Sequence, residues 1–114
     1  MDALGWNTAV AEGRATGIGV SSGVLVAWRS TIACKGIDLD VPAHFEGRIA
    51  AAALQLKAGV KLLLVSTYGF TREGAGPNNL ALLEWPGFAL RPFETWVVAG
   101  DWNMEPPELA GTGW

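Results

Sequence analysis

The sequence predicts an α/β fold, part of a two-sheet α/β sandwich of mostly antiparallel strands with one crossover helix. Three observations predict it. Apolar runs of strand length, rich in β-branched and aromatic residues, recur at 23–28 (GVLVAW), 60–68 (VKLLLVSTY) and 95–99 (TWVVA). Residues 36–41 (GIDLDV) alternate strictly between apolar and acidic. A segment with a helix-start signal, from Pro77 onward, lies between the last two apolar runs, where a crossover belongs.

The first twenty residues are rich in Gly, Ala and Thr and show no sustained period. Residues 23–28 follow Ser21-Ser22-Gly23 and read as a buried strand. In 36–41, Ile37, Leu39 and Val41 share one face and Asp38 and Asp40 the other, giving a strand with one wet side that Pro42 ends. Residues 48–56 contain Ala50–Ala53, which favour helix by propensity, but Leu54-Gln55-Leu56 alternates. The Lys57-Ala58-Gly59 turn then joins this run to 60–68, so a hairpin is the reading. Residues 69–76 (GFTREGAG) read as a mobile loop. A short helix over 80–85 follows, N-capped by Asn78 or Asn79 and interrupted at Pro86-Gly87, with room for another turn to Leu90 before Pro92 closes the segment. The strand at 95–99 runs into Gly100-Asp101-Trp102-Asn103, and the proline-rich stretch after it reads as irregular.

Composition narrows the function. At 114 residues, half hydrophobic and 17% charged, the chain can bury a core but cannot hold two large domains. Its longest apolar run, 49–54, is far shorter than a membrane-spanning helix of about 18–20 residues. Met1-Asp2-Ala3-Leu4 lacks the marks of a leader peptide, so an intracellular location is expected. Eight basic against eleven acidic residues argue against nucleic-acid binding by bulk charge, though not against a metal-dependent enzyme. A single cysteine, Cys34, excludes an internal disulfide; it reads as a small half-buried apolar residue, with Lys35 alongside as a possible activator.

The candidate chemistry lies at two strand ends, Ser66-Thr67-Tyr68 and Gly100-Asp101-Trp102-Asn103. If the two strands are neighbours joined by the 77–91 crossover, Tyr68, Asp101 and Asn103 face one crevice at the ends of core strands. A carboxylate, an amide and a phenol suit a phosphoryl oxygen and an attacking water. Asp-X-Asn after a strand is equally ordinary turn chemistry, and the four residues alone leave both readings open.

The order of these pieces resembles the endonuclease/exonuclease/phosphatase superfamily of metal-dependent phosphodiesterases. The resemblance runs from about Gly5 to Leu109. It rests on SSGVLVAWRS, GRIAAAALQL with Arg48 at its start, VKLLLVSTYGF, GPNNLALLEW and, most specifically, the Gly-Asp-X-Asn signature in VVAGDWN. The wording DWNMEP also looks like the endonuclease domains of non-LTR retrotransposons. The resemblance implies Mg²⁺- or Mn²⁺-assisted hydrolysis of DNA or another phosphodiester. Asp101 would orient or activate water, Asn103 would bind phosphate or help hold the metal, and Tyr68 would contact the scissile phosphate.

The departures from the family pattern are specific. The family's metal-binding glutamate belongs to a strand ahead of this sequence, and its closing Ser-Asp-His segment lies beyond Trp114. His44, the one histidine, sits in the Pro42–Glu46 connection and reads as a solvent-facing loop residue. Tyr68 is followed by Gly69-Phe70, whereas many members carry a proline two residues after the tyrosine, at the place of Phe70. The expectation is therefore a single partial domain with an incomplete site, and the alternative is a non-catalytic remnant or interaction module. Glu105 and Glu108 are further candidate ligands, with a proline-flanked surface loop as the plainer account. Arg48 and Arg72 are candidate phosphate contacts, with a carboxylate partner for Arg48 and solvent for Arg72 as the plainer accounts. Trp102 suits base stacking or core packing alike.

Overall fold

A computed structural model describes residues 5–12, 14–16, 19–21, 23–57, 59–93 and 95–112, with 14–16 and 19–21 described by their backbone. Met1–Leu4, on which the leader expectation rests, and Ser22, Ala58 and Trp114 lie outside the described residues. The elements run β1 (Trp6–Ala11), β2 (Arg14–Thr16), β3 (Gly19–Ser21), β4 (Val24–Arg29), β5 (Cys34–Ile37), β6 (Ile49–Lys57), β7 (Val60–Tyr68), α1 (Pro77–Ala89), β8 (Trp96–Asp101) and α2 (Pro106–Gly111).

The fold is a mixed α/β sandwich in which strands predominate, as the sequence predicts. Its main sheet has the order β5-β6-β7-β8, with β5-β6-β7 antiparallel and β8 parallel to β7. The parallel pair is reached through α1, which is the predicted crossover. One face of this sheet carries the row Ile37, Ala51, Val65 and Val98 across all four strands. Leu82 and Leu90 pack against that face together with Phe45, Ile49 and Leu63, closing the core. The opposite face carries Ala50 and Ala52, at 6% and 0% exposed, under the β1–β4 ribbon. Small side chains let the layers approach here, and a Cβ added at Gly36 would lie 3.3 Å from the Cβ of Ala9. The alanines thus serve as a strand buried on both faces, against their helix propensity.

Several expectations are corrected. The first twenty residues, without a sustained period in sequence, still contain strands: β1 pairs with β4, and β2 pairs with β3 in the same register. The strand predicted to run to Val41 stops at Ile37. Asp38 accepts the Asp40 N–H at 2.8 Å and Asp40 takes a left-handed φ of 58°, a turn that competes with the ladder. Leu39 and Val41 still pack against the core, so the alternation survives the loss of strand.

The helix is also longer than predicted. Pro86 lies inside α1, which continues to Ala89 because Leu83 and Pro86 are buried against the body of the fold and Leu90 N–H still reaches Pro86 O at 2.9 Å. Its N-cap is Gly76, with neither Asn78 nor Asn79 capping by side chain. The proline-rich stretch after Asn103 forms α2. Pro106 and Pro107 occupy first-turn positions whose N–H groups need no helical partner, and Glu105 with Glu108 forms a capping box. No helix among the described residues is long and apolar enough to cross a membrane.

Candidate functional site

Parallel pairing of β7 with β8 places Tyr68 directly opposite Asp101 at the strand ends. Side chains paired in register share a sheet face, so the phenol and the carboxylate sit side by side as the sequence predicts. Gly69 then ties the two ends together. Its N–H donates to Asp101 O at 2.6 Å, and its carbonyl accepts from the Asn103 side-chain Nδ2 at 2.8 Å. Asp101 Oδ1 in turn accepts the Asn103 N–H at 3.0 Å, and Asn103 adopts a left-handed φ of 52°. Asp101-Trp102-Asn103 is therefore an Asx turn clasped to the end of β7. The bonds that make the turn also tie the end of β8 to the end of β7, immediately after Tyr68.

The clasp needs glycine at position 69. A Cβ there would collide with the Trp102 carbonyl, meeting its carbon at 2.7 Å and Asn79 Oδ1 at 3.1 Å. Trp102 is half-buried, and its backbone is what packs here.

Arg48 completes the cluster. It is 9% exposed and donates through NH1 to the carbonyls of Tyr68 at 3.1 Å and Gly69 at 2.9 Å. Its guanidinium carbon lies 3.7 Å from the Phe70 ring centroid and 5.4 Å from that of Tyr68. The carboxylate partner expected for it is not there: among the described residues Arg48 forms no ion pair, and Glu73 acts on it only through space. Burial pulls its pKa below the usual arginine value, opposed by Tyr68 and Glu73. The buried guanidinium is thus supported by two carbonyl dipoles and a ring, with Glu73 acting on it only through space.

Other sequence candidates fall away from the cluster. Glu105 and Glu108 are helix caps: Glu108 Oε1 accepts the Glu105 N–H at 3.2 Å and Oε2 accepts the Ala75 N–H at 3.2 Å, pinning the 71–76 loop. Arg72 is exposed in that loop, and His44 is exposed beside Phe45. Burial raises the Cys34 thiol pKa, with a hydrogen bond from the Lys35 backbone partly offsetting it, so the half-buried reading stands and activation does not. Asn79, read from sequence only as a cap, is 1% exposed and bonds to Phe70 and Gly74. The signal that could have found it is the glycine-rich loop just before α1, whose backbone needs a fixed partner.

The oxygen donors on the turn, the Asp101 carboxylate and the Asn103 Oδ1, fit a hard, mostly water-coordinated cation such as Mg²⁺. No set of three or more His, Cys, Asp or Glu side chains converges among the described residues. A cleft of about 660 Å³ between β1 and β5–β6 includes none of the cluster residues. Comparison with protein-family models, with curated proteins and with solved structures finds no match to this chain.

Proposed function

We propose that the β7–β8 end binds a phosphodiester, of DNA or another substrate, and takes part in its metal-dependent hydrolysis. The observation that carries this reading is Arg48: a guanidinium 9% exposed, without an ionic partner among the described residues, beside Tyr68, which itself pairs with Asp101 across the β7–β8 ladder. A phosphoryl group would supply the missing negative charge. Tyr68 would donate to a non-bridging oxygen, and Asp101 would orient the attacking water and accept its proton. Asp101 and Asn103 Oδ1 would hold Mg²⁺ or Mn²⁺ with water completing the shell. Such an ion supplies neutralisation of the charge that builds on the phosphoryl oxygens.

A second reading, a phosphate-binding module without hydrolysis, is favoured by the single carboxylate at the cluster and the absence of a converging acidic set among the described residues. One experiment separates the two. Plasmid, nicked and abasic DNA are incubated with the protein across a Mg²⁺ titration, beside the variants Asp101→Ala and Asn103→Ala. Hydrolysis that needs metal and falls roughly 10²–10⁴-fold in Asp101→Ala is the expected result. Equal rates in the parent and both variants overturn the catalytic reading. Phosphate binding without turnover leaves the module.

A further inference from the structure

The amide of Asn79 is fully committed to the loop in front of α1. Its Oδ1 accepts the Phe70 N–H at 2.6 Å, while Nδ2 donates to Phe70 O at 3.0 Å and to Gly74 O at 2.8 Å. It therefore engages both backbone groups of Phe70, as a neighbouring strand would, and fixes that residue's φ and ψ. An ordinary helix-capping role is excluded, because the cap of α1 is Gly76. The ring that this bonding pattern fixes is the one 3.7 Å from the Arg48 guanidinium. On its other side, the guanidinium is fixed by the carbonyls of Tyr68 and Gly69, the two residues before Phe70.

We infer that Asn79 is a positioning residue for the anion site, acting through Phe70 to hold the face against which the Arg48 guanidinium rests. Three consecutive residues, 68–70, then contribute two carbonyls and a ring to one cation, and Asn79 anchors the third of them to α1. The Asn79 amide, in the first turn of α1, accepts the Phe70 N–H and donates to the Phe70 carbonyl at once, which a carboxylate of the same length could not do. The ligand readout below rests on the phosphate-binding reading; the geometry of the guanidinium is measurable without it.

The test uses the full chain, ¹⁵N-labelled, with inorganic phosphate as the probe. The Arg48 Nε–H resonance, which sits in the ring current of Phe70, is recorded for the parent, Asn79→Ala, Phe70→Leu and the double variant. The expected result is that Asn79→Ala moves this resonance toward its position in Phe70→Leu. Phosphate affinity should weaken roughly 2- to 30-fold in each single variant, the range of a cation–ring contact, and no further in the double. An Asn79→Ala protein that melts earlier but keeps the parent resonance and affinity overturns the inference, as does an additive double variant. If the parent binds no phosphate yet the resonance moves, the positioning role holds and the phosphate reading falls. Should Asn79→Ala fail to fold, hydrogen exchange in the parent decides instead. The Asn79 side-chain N–H₂ and the Arg48 Nε–H must open with the same urea dependence, and unequal dependence overturns the coupling.

Discussion

Replacing Gly100 by alanine should damage the fold and the candidate site together. Gly100 has a φ of +156° and pairs with Thr67 across the β7–β8 ladder. A Cβ at this position would run into the Thr67 carbonyl oxygen and stand 2.7 Å from Thr67 Oγ1. Thr67 is 2% exposed on β7, which is held on its far side by β6, so β8 is the strand that must give way. A backbone conformation this unfavourable for an L-residue costs about 1–3 kcal/mol, and overpacking adds about 1–3 kcal/mol. The expected loss is therefore about 2–6 kcal/mol, a large share of the roughly 5–15 kcal/mol that holds a domain folded. Displacement of β8 also breaks the Gly69–Asp101 bond and loosens the clasp on Asn103. The assay is urea unfolding followed by tryptophan fluorescence, with Gly87→Ala as the control. No atom lies within 4 Å of a Cβ at Gly87, which sits in α1, so alanine there should stabilise by about 0.5–1 kcal/mol. A Gly100→Ala protein within about 1 kcal/mol of the parent would refute the steric argument.

Further perturbations follow from the same structure. Arg48→Met should cost about 1–3 kcal/mol in urea unfolding through the lost bonds to Tyr68 O and Gly69 O, and should abolish phosphate binding in a titration followed by calorimetry. Trp28→Phe should cost under about 1.5 kcal/mol by thermal melt, because the indole Nε1 is buried with no hydrogen-bond partner among the described residues and its removal relieves that penalty. Burial raises the Cys34 thiol above its ordinary 9.0, so the folded state holds this proton more tightly than the unfolded chain. That contribution is complete below about pH 9 and is lost as pH climbs through the folded-state value. Urea midpoints measured from pH 8 to 11 should fall less steeply in Cys34→Ser than in the parent.

How much of this was legible in the sequence depends on where the information resides. The β6–β7 hairpin was readable because Val60–Tyr68 is built around the apolar run Leu62–Val65 and a short glycine turn precedes it. The β7-α1-β8 crossover was readable for the same reason, and it is what sets Tyr68 opposite Asp101. β1 was not readable: the residues it turns toward the main sheet include Ala9 and Ala11, too small to give a strand period, and its stability comes from pairing with β4. α2 was missed because prolines were taken as breakers, although the first turn of a helix asks nothing of their missing N–H groups. At the site, residue types predicted the trio, while the bonds that assemble it run through the backbone of Gly69, where sequence is silent. That Arg48 lacks a carboxylate partner is likewise a property of the fold, invisible until its neighbours are in place.

The shared register of the β1–β4 and β2–β3 pairs has a consequence for how this chain can change length. One extra residue in only one arm, between β1 and β2 or between β3 and β4, would slip one pair against the other and turn the side chains of the slipped strand to the other face. Insertions and deletions there should therefore survive in couples, one in each arm. Related sequences, aligned by eye at this arm, would reveal their pairing by the spacing of their gaps.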